Sequence, residues 1–290
     1  MSVLKVLTQN VWFSSKLSHA RTQGLCKLID EFRPDVVALQ EVTPSVLKQL
    51  KSHDFIDEYA FSDPPETPYF TTTMCRTSLS PTFTESPLPS EMGRTLLLCE
   101  LQPDDAAACV VGNVHLESLD NPDWRKRQLD AIHSNLSPLA AQAHAFVCGD
   151  LNIDADRTFD EMRRRVEPPQ AGASPENLVL IDTLRGFTDA WPADHGDDKG
   201  YTFDVLVNEM IFDRDRPYEE RMRYDRVFHS LRPGSRLEAI SVVGNTPLDA
   251  TATTAPAANL FGTPVKAPPP AFISDHFGLL ATYSLASPYP

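Results

Sequence analysis

The chain has 290 residues, 41% hydrophobic and 23% charged, which is the composition of a water-soluble folded protein with enough apolar residues for a sizeable core. A formal net charge of −14 argues against a general affinity for duplex nucleic acid, which depends on Lys and Arg to release phosphate counterions. It still allows an enzyme that grips a single phosphate through a bound cation.

In chain order, residues 3–12 read as a strand carrying the polar Asn10 near its end. Leu25, Leu28, Ile29 and Phe32 fall at helical spacing, and Pro34 stops that helix. Residues 35–39 are a short apolar run suited to a strand buried on both faces, and it ends in Gln40-Glu41. Pro44 opens a helix through Val46, Leu47 and Leu50. Residues 69–75 and 95–101 are strand candidates, joined by a proline-rich connection over 81–89. Residues 108–116 form a further strand that closes on His115-Leu116-Glu117-Ser118. A helix from about 123 to 135 follows, with Arg125, Lys126 and Arg127 read as a solvated basic start. Residues 145–148 are a buried strand running straight into Gly149-Asp150-Leu151-Asn152. Residues 157–175 read as a surface excursion, and 178–191 as a loop followed by a helix. Strand-like stretches then occupy 200–205, 222–228 and 237–243. A Pro-, Ala- and Thr-rich stretch at 244–271 reads as a flexible insertion loop, ahead of a closing strand over 277–283. This interleaving predicts an α/β (α+β) architecture in one domain over 1–290: two facing sheets covered by helices, with function at the strand ends.

No apolar run approaches the length of a membrane span, and residues 1–10 lack the apolar block and cleavage site of a signal peptide. A nuclear or cytoplasmic location without a membrane partner is therefore expected. The cysteines, Cys26, Cys75, Cys99, Cys109 and Cys148, are odd in number and widely spaced. They indicate buried thiols rather than a disulfide framework or a zinc knuckle.

Glu41, Asp150 and Asp275 each close a strand or a loop, with Gln40, Asn152 and His276 as polar companions. Hard cations such as Mg²⁺ take carboxylate and amide oxygens and keep several waters, so one or two such carboxylates suffice. Taken singly, each acid reads as a solvated loop end or a helix cap. On the same reasoning Arg94 alone reads as a surface arginine, His115 as a core histidine, and Tyr69, Phe203 and Tyr224 as core aromatics.

Together, Thr8-Gln9-Asn10, Leu39-Gln40-Glu41-Val42, His115-Leu116-Glu117-Ser118, Gly149-Asp150-Leu151-Asn152, Tyr224-Asp225-Arg226 and Ser274-Asp275-His276 follow the motif order of the endonuclease/exonuclease/phosphatase superfamily. Within it the chain resembles the tyrosyl-DNA phosphodiesterases. That likeness is carried also by Tyr69-Phe70-Thr71, by Arg223 to Phe228, by Arg94 ahead of three leucines, and by the run from Ser274 to Leu280. The resemblance implies a four-layer α/β sandwich of two packed mixed sheets flanked by helices. It also implies a metal-dependent phosphodiesterase that hydrolyses the bond between a tyrosine and a 5′ DNA end, leaving a 5′ phosphate.

Its implied cofactor is Mg²⁺, with Mn²⁺ as a substitute, and its partners are DNA 5′ ends bearing tyrosyl or peptide adducts, met by a monomer. Glu41, Asp275 and Asn10 would serve the metal. Asp150, Asn152, His115, His276 and Asp225 would form the catalytic set, and Arg94, Tyr69, Phe203 and Tyr224 would meet the substrate. Other branches of the superfamily act on abasic DNA, RNA or phospholipid and inositol phosphates, and stand as the alternative; a non-catalytic binding protein is a third reading. Gln9 and Phe203 stand where the resembling family has Trp, which alters the expected DNA-end pocket.

Overall fold

A computed structural model describes residues 2–155, 174–211, 220–249 and 270–287. Two six-stranded sheets face each other. The first takes the spatial order β13 (Arg236–Val243), β14 (Gly278–Leu285), β1 (Ser2–Asn10), β2 (Val36–Val42), β4 (Phe70–Arg76) and β3 (Tyr59–Phe61). The second runs β5 (Thr82–Pro87), β6 (Thr95–Leu101), β7 (Cys109–His115), β8 (His144–Asp150), β12 (Asp225–Ser230) and β9 (Thr188–Asp189). A two-stranded ribbon, β10 (Phe203–Asp204) with β11 (Arg221–Met222), stands apart.

Each sheet has one parallel pair at its centre, β1 with β2 and β7 with β8. Parallel neighbours need a crossover, supplied by α1 (Ser18–Phe32) in the first sheet and α3 (Pro122–Ala140) in the second. The four central strands therefore finish at one edge of the sandwich, with Asn10, Glu41, His115 and Asp150 at or near their ends. β12 and β14 run antiparallel to their neighbours, so their amino ends reach that same edge. This brings Asp225 opposite Asp150 in register, and the preceding Asp275-His276 beside Asn10.

Burial follows four layers. Leu4, Val6, Val36, Cys75, Cys99, Val111, Phe146, Val227 and Tyr283 fill the space between the sheets. Leu25, Ile29, Leu47 and Leu50 pack α1 and α2 (Pro44–Leu50) on the outer face of the first sheet. Leu129, Ile132, Leu136 and Leu180 pack α3 and α4 (Pro175–Thr183) on the second. At the functional edge the facing sheets are joined by polar groups: Gln40 Nε2 donates to Asn113 Oδ1 at 2.7 Å, and Asn113 Nδ2 donates to the carbonyl of Thr72 at 2.9 Å. All five cysteines are buried and free. Among the described residues no helix is long and apolar enough to cross a membrane.

The structure departs from the sequence reading in several elements. The proline-rich connection contains β5, an edge strand in which prolines are tolerated because one side lacks a partner. The stretch 178–191 runs in the opposite sense to the expectation: helix α4 comes first, capped by the Ser174 hydroxyl accepting from Asn177 N, and the short α5 (Ala190–His195) ends it. The strand expected over 222–228 is split, because β11 pairs with the ribbon while β12 joins the second sheet. α3 extends to Ala140 because Leu136 and Leu139 prolong its apolar face. Most of the expected surface excursion (157–173) and insertion loop (250–269) lie outside the described residues.

Gly149 makes β7 and β8 compatible with Asp150. Its φ is +136°, and a Cβ there would lie 1.9 Å from the carbonyl oxygen of Val114. Backbone cannot yield as a flexible side chain can, so Gly149→Ala is expected to cost on the order of 4 kcal/mol in denaturant unfolding. A loss below about 1 kcal/mol would contradict this placement.

Candidate active site

The local backbone is strained where the site is built. Glu41 sits at an irregularity in the β2–β4 pairing with φ +58°, and Asn152 has φ +53°. Both turn their side chains away from the regular pleat toward the shared edge.

Two histidines meet Asp150 from different strands. His276 Nδ1 donates to Asp225 Oδ2 at 2.8 Å, and its Nε2 lies 3.9 Å from Asp150 Oδ2. Burial disfavours the charged imidazole, but Asp225, Asp150 and Asp275 outweigh it and hold the His276 pKa well above its ordinary value. His115 behaves oppositely. Arg94, which has only donors, gives an Nη1–H to His115 Nδ1 at 3.0 Å, so the ring proton sits on Nε2. That Nε2 lies 3.6 Å from Asp150 Oδ2 and 3.9 Å from Glu41 Oε1. Burial and the neighbouring guanidinium push the His115 pKa down to about 3, so it is a neutral donor at physiological pH.

Asp150 is the shared acceptor. Its Oδ2 accepts from Asn10 Nδ2 at 2.9 Å and its Oδ1 from the Asn152 amide at 2.9 Å. Burial raises its pKa, but His276, His115 and these two donors more than offset that, leaving the carboxyl below its usual range. Asn152 is itself held by its side-chain amide donating to the Leu116 carbonyl at 3.1 Å.

Single ligand atoms of Asp150, Asp225 and His276 lie within 4.8 Å of one another, a spacing that a metal could use. The 2.8 Å Nδ1–Oδ2 hydrogen bond, with a cationic imidazole, makes this trio a poor cation site. Glu41 and Asp275 suit a hard divalent cation better. Burial and the charge of Asp275 push the Glu41 pKa up, and burial does the same for Asp275. The hydrogen bonds to these carboxylates come from neutral donors, Phe13 N for Glu41 and Ser274 Oγ for Asp275, so the negative charge is left for a cation to neutralise. Asn10 spends its amide nitrogen on Asp150 and accepts from Trp12 N at 2.9 Å through Oδ1. It positions Asp150 and retains one lone pair for the cation.

The expected substrate residues fall in two groups. Phe203 and Tyr224 pack around His276, with ring centroids 5.2 and 6.1 Å from the imidazole. Tyr69 stacks instead on Phe13, with ring centroids 5.0 Å apart. Arg94 is buried, not a surface arginine. Gln9, also buried, donates to the His276 carbonyl at 3.0 Å and so fixes the segment carrying that histidine.

Several supports were not singled out from the sequence. Glu117 is buried and accepts from Ser90 Oγ, Glu91 N and Gln128 Nε2, which pins the turn that presents Arg94. Arg125, expected to be solvated, is buried: it donates to the carbonyls of Glu117 and Leu119 and pairs with Glu176. Arg21 clasps the loop after β1. An arginine at a helix start ordinarily reads as solvated, and the signal that marks both residues is their position on an apolar helical face, Arg21 with Leu25 and Leu28, Arg125 with Leu129 and Ile132.

Arg94→Met tests the role of its guanidinium. Losing the donor and the nearby charge should raise the His115 pKa and lower kcat by about 10–100-fold, as loss of a supporting partner does around other histidines. An NMR titration of His115 alongside steady-state kinetics checks both, and an unmoved His115 would refute the assigned contact.

The Endonuclease/Exonuclease/phosphatase family profile matches residues 7–276. The chain is 27% identical over 272 residues to tyrosyl-DNA phosphodiesterase 2 of Xenopus tropicalis, covering 91% of this chain and 61% of the relative. It is 28% identical over 234 residues to that of Danio rerio, covering 78% and 56%. The chain thus spans about three fifths of the length of the curated relatives it matches. The crystal structure of Danio rerio TDP2 complexed with single-strand DNA product superposes with a TM-score of 0.75 at 24% identity, covering 98% of this chain and all (100%) of that one. An endonuclease/exonuclease/phosphatase from Bacteroides vulgatus gives 0.67 at 17% identity, with 98% and 100% covered. With a profile match running from β1 to His276 and the same two-sheet sandwich in both structures, the chain belongs to the Endonuclease/Exonuclease/phosphatase family.

Proposed function

We propose that the protein is a divalent-metal-dependent phosphodiesterase that hydrolyses the ester between a tyrosine and a 5′ DNA end, leaving a 5′ phosphate. The observation that carries this is the meeting of Asp150 with His115 and His276, brought from different strands, beside the partly buried carboxylate of Glu41. The relatives' names and the DNA product bound to the Danio rerio protein support the choice of substrate.

In this reading, Asp150 orients the attacking water and accepts its proton, with Asn152 and Asn10 holding the carboxylate still. The water oxygen bonds to phosphorus as the bond from phosphorus to the phenolic oxygen breaks, and the departing phenolate takes a proton from solvent. His276 and His115 donate from Nε2 to the phosphoryl oxygens as negative charge builds there. Asp225 keeps the His276 proton and ring plane in place. Glu41 and Asp275, with Asn10, would hold Mg²⁺, or Mn²⁺ in its place, which when bound neutralises charge near the leaving oxygen.

The test is release of free tyrosine from a 5′-phosphotyrosyl oligonucleotide in Mg²⁺, with abasic duplex, poly(A) and a small phosphodiester as competitors. Tyrosine release that EDTA abolishes is the expected result. Cleavage of abasic DNA with the tyrosyl end untouched would move the protein to another branch of the family.

A further inference from the structure

The mechanism leaves unused an aromatic side chain that the fold holds in water at the rim of the site. Phe13 is 52% exposed, yet its surroundings are rigid. Its amide donates to Glu41 Oε2 at 2.9 Å, and its ring lies on Tyr69, centroids 5.0 Å apart and planes 18° from parallel. The preceding Trp12 has φ +59°, a backbone conformation that bulky residues rarely adopt. Arg21 secures it: the guanidinium donates to the carbonyls of Val11, Trp12, Ser14 and Lys16 and lies over the Trp12 ring at 4.9 Å. A buried arginine is thus spent on fixing a strained loop whose outward feature is a half-exposed ring.

We infer that Phe13, backed by Tyr69, is a specificity-determining wall that stacks on the aromatic leaving group of the substrate. The inference rests on the phosphodiesterase reading above. Its sidedness follows from the site. Nε2 of His115 reaches Asp150 at 3.6 Å and Glu41 at 3.9 Å, so a phosphorus centre resting against it has Asp150 and Glu41 as separate neighbours. In-line displacement places the departing oxygen opposite the water that Asp150 orients; the inference puts it on the Glu41 side, where the Phe13 backbone amide donates to Glu41 Oε2. Phe203 and Tyr224 pack on His276 instead, and the inference leaves them for the nucleoside. A planar ring leaving on the Glu41 side meets the exposed face of Phe13; an aliphatic alcohol gains no comparable contact.

The experiment compares two 5′ esters of one oligonucleotide, phenyl and hexafluoroisopropyl, whose leaving groups are of similar acidity but differ in having a ring. For the wild-type protein and for Phe13→Ala, Phe13→Leu and Phe13→Trp, kcat/KM is measured for both esters, and their affinities are measured in EDTA by fluorescence anisotropy. The phenyl-to-alkyl ratio should fall about tenfold in Phe13→Ala and in Phe13→Leu, in both kinetics and metal-free binding, and should be kept by Phe13→Trp. A ratio unchanged in Phe13→Ala, or restored by Leu as well as by Trp, would overturn the wall. A wild-type protein that cleaves neither ester would refute the proposed activity instead, and the metal-free binding ratio would still decide the role of Phe13.

Discussion

Asp150→Asn will lower kcat for tyrosine release on the order of 10⁴-fold while changing stability by no more than about 2 kcal/mol. Asp150 is the point where β8, β7, β1 and β14 converge: it takes hydrogen bonds from Asn10 and Asn152 and faces both histidines. An asparagine keeps the oxygen that receives the Asn152 amide, but it cannot accept a proton from water. Its amide nitrogen would face the donor of Asn10, whose oxygen is already engaged by Trp12, so one buried donor loses its partner. Removing one negative charge also forfeits the attraction of His276, which is offset in part by relief of burial and of repulsion from Glu41, Asp225 and Asp275. Single-turnover kinetics and urea unfolding on the same preparation separate the two effects. A rate loss of less than about tenfold would remove Asp150 from the proton-transfer role.

The second large effect is expected from Asp225→Asn: a fall in kcat of about 10³-fold, together with an acidward shift of the alkaline limb of the pH profile. In the native protein, burial opposes the charge on His276 and the acids around it, Asp225 foremost, prevail. Asparagine removes both the charge and the ionic hydrogen bond but leaves the burial, so the imidazole loses its proton at lower pH. The same linkage acts on stability. The folded pKa of His276 is raised, so its contribution is fully present below the unfolded value near 6.5 and is lost as pH rises through the folded value. The stability gap between wild type and Asp225→Asn should therefore be widest at neutral and mildly acidic pH and close on the alkaline side. His115 contributes with the opposite sign. Its folded pKa lies near 3, so the stability it provides is lost as pH falls from about 6.5 toward that value. A pH profile with an unmoved alkaline limb would show that the Asp225 contact does not tune His276.

The parts of this arrangement that could be read from the sequence share one physical feature. Asn10, Glu41, His115 and Asp150 each lie at the end of an apolar run, because central strands buried on both faces cannot hold an unpaired polar group until they reach the edge. The same pattern announced the central strands. β3, β5 and the two-residue β9 carry no such signal, since short or half-exposed edge strands need no continuous apolar run, and the strand-like stretches 200–205 and 222–228 give no sign that β10 and β11 pair as a separate ribbon. The residues that hold the site together were hidden for another reason. Arg21, Arg125 and Gln9 donate to main-chain carbonyls, and a carbonyl acceptor leaves no mark on residue type; Glu117 accepts from Ser90, Gln128 and the Glu91 amide, which lie far from it in sequence or on the main chain. Phe13 was equally silent, because an aromatic next to Trp12 reads as core until its exposure is seen.

In the proposed site Glu41 and Asp275 form a cation end, and Asp225 and His276 a phosphate end. Electron paramagnetic resonance of Mn²⁺ titrated into the wild-type protein, Glu41→Gln and Asp225→Asn tests that division without requiring turnover. The expected result is one ordered Mn²⁺ site that Glu41→Gln weakens by at least about tenfold and Asp225→Asn preserves. A site lost in Asp225→Asn and intact in Glu41→Gln would instead place the metal in the Asp150, Asp225 and His276 trio.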